Sequence, residues 1–278
     1  MLLPRVLTAV FGIPIILIAV RLGGLSFLLL VFGVSLFCLY ETFSLFAKIG
    51  VKPRSMFGYP LAVFLFIVFI MPSYAEPKYA PLLKNPAAAG LGITLTMVIL
   101  SAIELFYLKT RSFLSSAVTL FSIIFVCWPL AHLVLLRDLV PLGQEWCVFL
   151  FVTIWISDTA AYLVGHAIGR NKLAPRVSPK KTIEGFFGGI LGGMLSGSVL
   201  WVLFFRSEGI SYSEMALLGG AGIGVVAQLS DLAESVLKRE AKVKDSSDAL
   251  PGHGGFLDRF DSFILTTPLL YYYVILRF

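Results

Sequence analysis

The chain has 278 residues, of which 58% are hydrophobic and only 14% are charged, and its mean hydropathy is +0.91. Soluble domains are about half apolar and about a quarter charged, and disordered chains are more polar still. The composition therefore excludes both classes and predicts an all-α, polytopic integral membrane protein. A net charge of +6 is typical of basic cytoplasmic loops in such a protein, so we expect no nucleic-acid partner. The cysteines lie in or beside apolar runs and are not spaced as metal or disulfide pairs (Cys38, Cys127 and Cys147).

Candidate membrane spans follow one another along the whole chain, because a helix needs about 20 residues to cross the hydrocarbon layer. Nine segments qualify, at about 5–21, 24–46, 56–72, 87–107, 113–136, 146–168, 183–205, 214–233 and 262–277. The sixth and eighth each contain an aspartate, and a count of eight follows if one of them is re-entrant. We divide the chain into N-terminal helices (1–85), middle helices (86–170) and C-terminal helices (171–278).

The basic residues predict the orientation. Most of them lie in the connections after the second, fourth, sixth and eighth spans, and the two large connections there are 169–182 and 234–261. Since cytoplasmic loops are enriched in Lys and Arg, we expect these connections, and an active-site cleft, on the cytoplasmic side. The lack of an evident targeting extension favours a bacterial cytoplasmic (inner) membrane. Two single acids near cytoplasmic ends of spans, Glu41 and Glu104, are expected at the membrane interface.

The sixth span carries a carboxylate, Asp158, near its middle. An ionised group there costs roughly 2.5–3.5 kcal/mol on insertion scales, and acids inside membranes usually serve a function. Asp158 shares a helical face with Tyr162, Gly165 and Gly169, which suggests a polar cleft between closely packed helices. A polar contact that joins two helices is the alternative. We favour a role for Asp158 in substrate binding.

Ser178, Lys180, Lys181 and Thr182 stand immediately before the seventh span, where a helix begins. Helix N-termini attract anions through unpaired N–H groups and the helix dipole, and two ammonium groups strengthen that attraction. The segment therefore predicts a phosphate site, although a basic membrane anchor with Thr182 as helix cap explains it equally well. The glycines that follow favour close helix packing over a nucleotide-binding loop (Gly185, Gly188, Gly189, Gly192, Gly193 and Gly197).

The eighth span ends at Asp231, and the connection that follows mixes acids with bases. Asp231, Glu234 and Lys238 share a helical face. Asp258 and Asp261 are three residues apart, so on a helical turn both carboxylates would face one way, as a hard divalent cation requires. Carboxylates for Mg²⁺ beside bases for phosphates are typical of phosphoryl or nucleotidyl transfer.

Residues 235–261, the signature segment, resemble the signature of the phosphatidate cytidylyltransferases, also called CDP-diacylglycerol synthases. The segment follows the family pattern without a departure, at Ser235, Leu237, Lys238, Arg239, Lys244, Asp245, Ser247, Leu250, Pro251, His253, Gly254, Gly255, Phe256, Asp258, Arg259, Phe260 and Asp261. Ser157-Asp158 and the segment 178–182 are also similar to the family. The resemblance extends over the whole chain and is strongest from about 155 to 261.

The resemblance implies that CTP and phosphatidic acid, a membrane lipid, are joined to give CDP-diacylglycerol and pyrophosphate, with Mg²⁺ as cofactor. A second metal ion and a homodimer are left open. The metal-binding aspartates of the family carry over to Asp231, Asp258 and Asp261. Together with these, we assign catalytic roles to Lys238 and Arg239. The residues expected to bind the phosphates of CTP or phosphatidate are Ser178, Lys180, Lys181, Thr182, Lys244, His253, Arg259 and Asp158.

Other functions fit parts of the pattern. A transporter could use Asp158 and Asp231 along an ion path, but the acids cluster with bases at one side and the chain shows no related halves. Another CTP-using lipid enzyme, such as a polyprenol kinase or a transferase for other acidic lipids, would share the same metal and phosphate chemistry. A CDP-alcohol phosphotransferase is disfavoured because its aspartate pattern is absent.

Overall fold

The computed structural model describes residues 3–74, 86–107, 112–250 and 252–278. Long helices make up most of this part of the chain. They are α1 (Leu3–Leu22), α2 (Gly24–Lys48), α3 (Ser55–Tyr74), α4 (Pro86–Ala102, continued by a π-helical turn at Ile103–Tyr107), α5 (Phe113–Arg137), α6 (Gly143–Ile168), α7 (Ile183–Phe205), α8 (Tyr212–Glu240) and α9 (Leu257–Arg277). Helices α5, α7 and α8 also contain π-helical stretches, at Ile123–Cys127, Trp201–Phe205 and Leu218–Gly224.

Each predicted span coincides with a helix in the part of the chain that is described. Five of these helices, α2, α5, α6, α7 and α8, are long and apolar enough to cross a membrane. The observed architecture agrees with the predicted helical membrane protein, whereas the count of nine spans stays a prediction. Some residues used in the sequence analysis lie outside the described residues. They are the connections 75–85 and 108–111, whose charges support the predicted orientation, and Pro251 of the signature segment.

One element departs from the all-α prediction. Strands β1 (Lys172–Ala174) and β2 (Ser178–Thr182) form an antiparallel hairpin, in which Lys172 lies opposite Thr182 and Ala174 opposite Ser178. The hairpin occupies the predicted connection 169–182, and its polar composition left no hydropathy signal. Because β2 runs directly into α7, the hairpin is anchored to the helical bundle at that end.

Buried glycines bring α7 against both α6 and α8. A Cβ on Gly192 would lie 2.5 Å from the Cβ of Ala160 in α6, and one on Gly193 would overlap the carbonyl oxygen of Gly219 in α8. Glycine is therefore required for backbones to approach this closely. The packing interpretation of the glycine face is confirmed, and it holds the helices that carry Asp158 and Asp231 close to α7.

Helix α9 packs against the last turns of α8 and the C-terminal half of α5, with further contacts to α2 and α6. His132 of α5 is buried there, and its ring nitrogens lie 2.8 Å from the carbonyl oxygen of Trp128 and 3.2 Å from the hydroxyl of Tyr272. The contact with Tyr272 joins α5 to α9. The start of α9 is thus set beside the end of α8, where the signature segment begins.

Candidate active site

Helix α8 continues to Glu240, beyond the predicted end of its span at 233. Charged residues end a hydropathic span but not a helix, and the helix continues through the predicted face of Asp231, Glu234 and Lys238. The extension places Asp231, Glu234 and Lys238 on successive turns of one face. This face lies against the first turns of α9, which carry Asp258 and Asp261.

Three carboxylates converge between the two helices. One oxygen each of Asp231, Glu234 and Asp261 lies within 4.8 Å of the other two. Glu234 is completely buried, and among the described residues neither of its oxygens has a hydrogen-bond partner, although Lys238 is in ion-pair contact with it. Like charges this close repel one another, and a hard divalent cation takes carboxylate oxygens as ligands. The donor set therefore fits Mg²⁺.

Asp258 lies outside this group of three carboxylates. Its Oδ1 accepts a 2.6 Å hydrogen bond from Lys238 Nζ. Its Oδ2 accepts hydrogen bonds from the backbone and hydroxyl of Ser246, at 2.8 and 2.9 Å, and from the Gly255 amide at 2.8 Å. The sequence-based ligand set was Asp231, Asp258 and Asp261, whereas the geometry brings Glu234 into the cluster and engages Asp258 with protein donors. The loop before α9 folds back over Asp258, and this long-range contact cannot be predicted from the spacing of residues along a helix.

The two lysines of β2 have different surroundings. Lys181 Nζ lies 2.7 Å from Asp231 Oδ2 and 3.4 Å from the Gln228 carbonyl oxygen, so it contacts the edge of the acid cluster. Lys180 is exposed, since neighbouring residues of a strand point to opposite faces. Only one of the two predicted phosphate-binding lysines therefore adjoins the acids in the described structure.

Two further residues predicted at the site hold local structure. Thr182 is the N-cap of α7, and its hydroxyl oxygen accepts a hydrogen bond from the Gly185 amide at 3.1 Å. The helix-cap alternative is thus confirmed for Thr182, while Ser178 is partly buried in β2. Arg239 donates hydrogen bonds of 2.9 Å to the carbonyl oxygens of Val177 and Val243. It fastens the hairpin to the segment that follows α8.

The signature loop, residues 241–256, borders a cavity of about 750 Å³, here called the polar cavity. Ligand sites in proteins have volumes of roughly 300–1,000 Å³. Arg259, which lines this cavity, lies in the first turn of α9, the helix that also carries Asp261. Asp158 of α6 interacts electrostatically with Asp231, Lys181 and Arg259. The cavity is lined by Lys244, Asp245, Asp248, Leu250, Gly252, His253, Gly254 and Arg259.

A second cavity, of about 500 Å³, lies on the α2 side of the signature loop and is here called the apolar cavity. Phe37 of α2 borders it and stacks on Phe256, with ring centroids 4.8 Å apart. Ser247 and Ala249 line the apolar cavity, whereas Asp248 and Leu250 line the polar cavity, so this stretch of the loop separates the two. The apolar cavity is lined by Gly33, Leu36, Phe37, Tyr40, Glu41, Ser247 and Ala249.

Two acids that were not predicted at the site, Glu234 and Glu41, lie in it or contact its loop. Glu234 shares its helical face with Asp231, so its spacing was the signal for a ligand role. Glu41, expected at the membrane interface, is 1% exposed and contacts the signature loop. Glu104, the other acid expected at the membrane interface, is also buried within the protein, and the guanidinium of Arg54 lies 2.7 Å from its carboxylate. Nothing in the local sequence indicates the partner of either glutamate.

Comparison with known proteins identifies the family of the chain. The model of the cytidylyltransferase family matches residues 3–276. A phosphatidate cytidylyltransferase of Staphylococcus epidermidis is 36% identical over 267 residues, which cover 96% of each chain. Proteins of the same name from Bacillus subtilis and Staphylococcus aureus are 31% and 35% identical, again over 96% of each chain. The chain therefore belongs to the cytidylyltransferase family.

Proposed function

We propose that this protein is an enzyme of phospholipid biosynthesis that transfers the cytidylyl group of CTP to phosphatidic acid. The products are CDP-diacylglycerol and pyrophosphate. The main support is the convergence of Asp231, Glu234 and Asp261 at the start of α9, the helix whose Arg259 lines the polar cavity together with Lys244. The names of the bacterial relatives support the same nucleotidyl transfer.

In this reaction a phosphate oxygen of phosphatidic acid attacks the α-phosphorus of CTP. The bond from that phosphorus to the oxygen bridging the α- and β-phosphates breaks, and pyrophosphate leaves with the electron pair. The attacking oxygen is already ionised, so no base has to remove a proton. Both reactants are anions, and neutralising and aligning them is the main task of the protein.

We propose Asp231, Glu234 and Asp261 as the residues that hold Mg²⁺. The cation, when bound, supplies positive charge to the nucleotide phosphates. Lys238 balances the charges of Glu234 and Asp258, so both buried acids have a counter-charge. Asp258 then acts by orienting Lys238 and the signature loop.

The two cavities suggest where the substrates bind. The polar cavity offers Lys244, His253 and Arg259 to the CTP phosphates, and Lys181 stands beside Asp231 at the cluster. The apolar cavity offers Leu36 and other apolar side chains to the glycerol and acyl part of the lipid, which would enter laterally from the bilayer. The basic connections favour a site on the cytoplasmic side of a bacterial inner membrane, where CTP is available.

The test is a transfer assay on detergent-purified protein with phosphatidic acid, Mg²⁺ and CTP labelled at the α-phosphate. We expect label in the organic phase only when all three are present, with release of pyrophosphate, and near-background transfer by Asp261→Asn. Lipid labelling from γ-labelled CTP instead would identify a kinase. Failure of both labels with folded wild-type protein would refute lipid-directed CTP chemistry and favour transport.

A further inference from the structure

Glu41 is a buried acid in the apolar helix α2, about two hundred positions before the signature segment. Burying an ionised carboxylate is costly unless hydrogen bonds or opposite charges compensate it. An acid at such a position needs hydrogen-bond donors. All of the donors observed for Glu41 belong to residues 246–257.

Both carboxylate oxygens of Glu41 bind this segment. Oε1 accepts hydrogen bonds from the Ser247 hydroxyl at 2.5 Å and the Phe256 amide at 3.0 Å. Oε2 accepts hydrogen bonds from the Ser246 hydroxyl at 2.8 Å and the Leu257 amide at 2.7 Å. One side chain of α2 thus clamps the middle of the signature loop to its end.

The clamp also caps α9. The first N–H groups of a helix have no partners within the helix, and a carboxylate there is favoured by the helix dipole. Helix α9 begins at Leu257 after Phe256, and no side-chain cap is observed at this N-cap position of the described chain. Glu41 binds the amides of both residues and so replaces the local cap that the sequence lacks.

Ser246 links Glu41 to the active site. Its single hydroxyl hydrogen is shared between Glu41 Oε2, 2.8 Å from the Ser246 oxygen, and Asp258 Oδ2, 2.9 Å from it. Asp258 in turn accepts the hydrogen bond of Lys238. A Cβ at Gly255 would overlap the Ser246 hydroxyl and lie 2.5 Å from Glu41 Oε1, so the glycine makes this close approach possible.

We infer that Glu41 is a positioning residue, whose carboxylate orders the signature loop and the first turn of α9 so that Asp258 and Lys238 keep their places beside the acid cluster. The inference rests on the proposed function for its catalytic consequence. The ordering of the loop is independent of the reaction, and the two are tested separately.

The first experiment compares Glu41→Gln with Glu104→Gln. Glu104 of α4 is the matched control, because it is a buried acid whose observed partners, Arg54, Ser112 and Ser116, lie outside the signature segment. Per folded molecule, Glu41→Gln should lower kcat about 10²-fold, the scale that a small misplacement of catalytic groups produces, and should raise the Mg²⁺ concentration for half-maximal rate. Glu104→Gln should change activity only in proportion to the loss of folded protein.

The second experiment measures amide hydrogen exchange of the same variants in detergent, and it needs no turnover. Glu41→Gln should speed exchange in residues 244–258 and leave α5 and α6 unchanged. Ser247→Ala, which removes one hydrogen bond to Glu41, should produce a smaller change in the same residues and provides the test if Glu41→Gln fails to fold.

Unchanged exchange in residues 244–258, or an activity profile of Glu41→Gln equal to that of Glu104→Gln, would overturn the inference. If wild-type protein transfers no label but exchange rises in this segment alone, the proposed function fails while the clamp stands.

Discussion

The ammonium group of Lys238 donates a 2.6 Å hydrogen bond to Asp258, and this contact joins the last turns of α8 to the first turn of α9. The same group is in ion-pair contact with Glu234. One cation therefore neutralises two buried acids, one in the carboxylate cluster and one beneath the signature loop. Through Lys238, the geometry of the cluster depends on the conformation of the loop.

Replacing Lys238 by methionine should destabilise the protein as well as inactivate it. The substitution leaves Glu234 and Asp258 buried without their counter-charge, and breaking a buried ion pair from one side costs about 3–5 kcal/mol. Thermal unfolding in detergent should show a clear fall in Tm. The double variant Lys238→Met/Glu234→Gln should recover part of the lost Tm without recovering activity. A Tm equal to that of the wild type in the single variant would contradict the buried pairing.

The carboxylates should fall into two kinetic groups. Asp231→Asn, Glu234→Gln and Asp261→Asn should each lower the rate about 10²–10³-fold or more and raise the Mg²⁺ concentration for half-maximal rate, because each removes a proposed ligand. Asp258→Asn should lower kcat with a smaller change in Mg²⁺ demand, since its partners are protein donors.

Initial rates measured across a Mg²⁺ series test this division, with circular dichroism and Tm as controls for folding. If Asp258→Asn raises the Mg²⁺ demand as strongly as Asp261→Asn does, Asp258 is a ligand after all. Near-normal turnover in Asp261→Asn would remove the metal assignment.

The neighbouring lysines of β2 should differ in effect. Lys181→Ala should raise the CTP concentration for half-maximal rate, because Lys181 contacts Asp231 at the cluster. Lys180→Ala is the matched control, with the same change of charge at an exposed position, and its effect should be smaller. Saturation curves for CTP at fixed lipid provide the measurement. Equal effects from the two variants would show that only the net charge of the segment matters, as in a basic anchor.

Filling the apolar cavity should impair lipid use selectively. A Cβ at Gly33 has no atom within 4 Å, so Gly33→Leu can be accommodated while its side chain occupies the cavity. The KM for phosphatidic acid should rise several-fold and the KM for CTP should stay unchanged. Gly90→Leu, at an exposed and equally open position of α4, serves as the control. A higher KM for CTP alone would assign this cavity to the nucleotide.

Apolar helices could be predicted from the sequence, whereas polar elements could not. Long apolar segments are readily detected by their hydropathy. The seventh span, predicted at 183–205, coincides with helix Ile183–Phe205. The hairpin at 172–182 and the final turns of α8 are polar, so hydropathy could not detect them. The extra turns matter most, because they place Lys238 on the same helix as Asp231.

The sequence by itself determined the class of the protein and its family. An apolar composition leaves only a membrane as solvent for most of the chain, and the signature segment at 235–261 is specific enough to indicate the family that the match over residues 3–276 confirms. The tertiary structure decided which acids meet. Glu234 joins Asp231 and Asp261 in place of Asp258, and Glu41 reaches the signature loop from α2. Local spacing sets the face of a helix on which a side chain lies, but contacts between distant segments depend on how the helices pack and where a loop turns back.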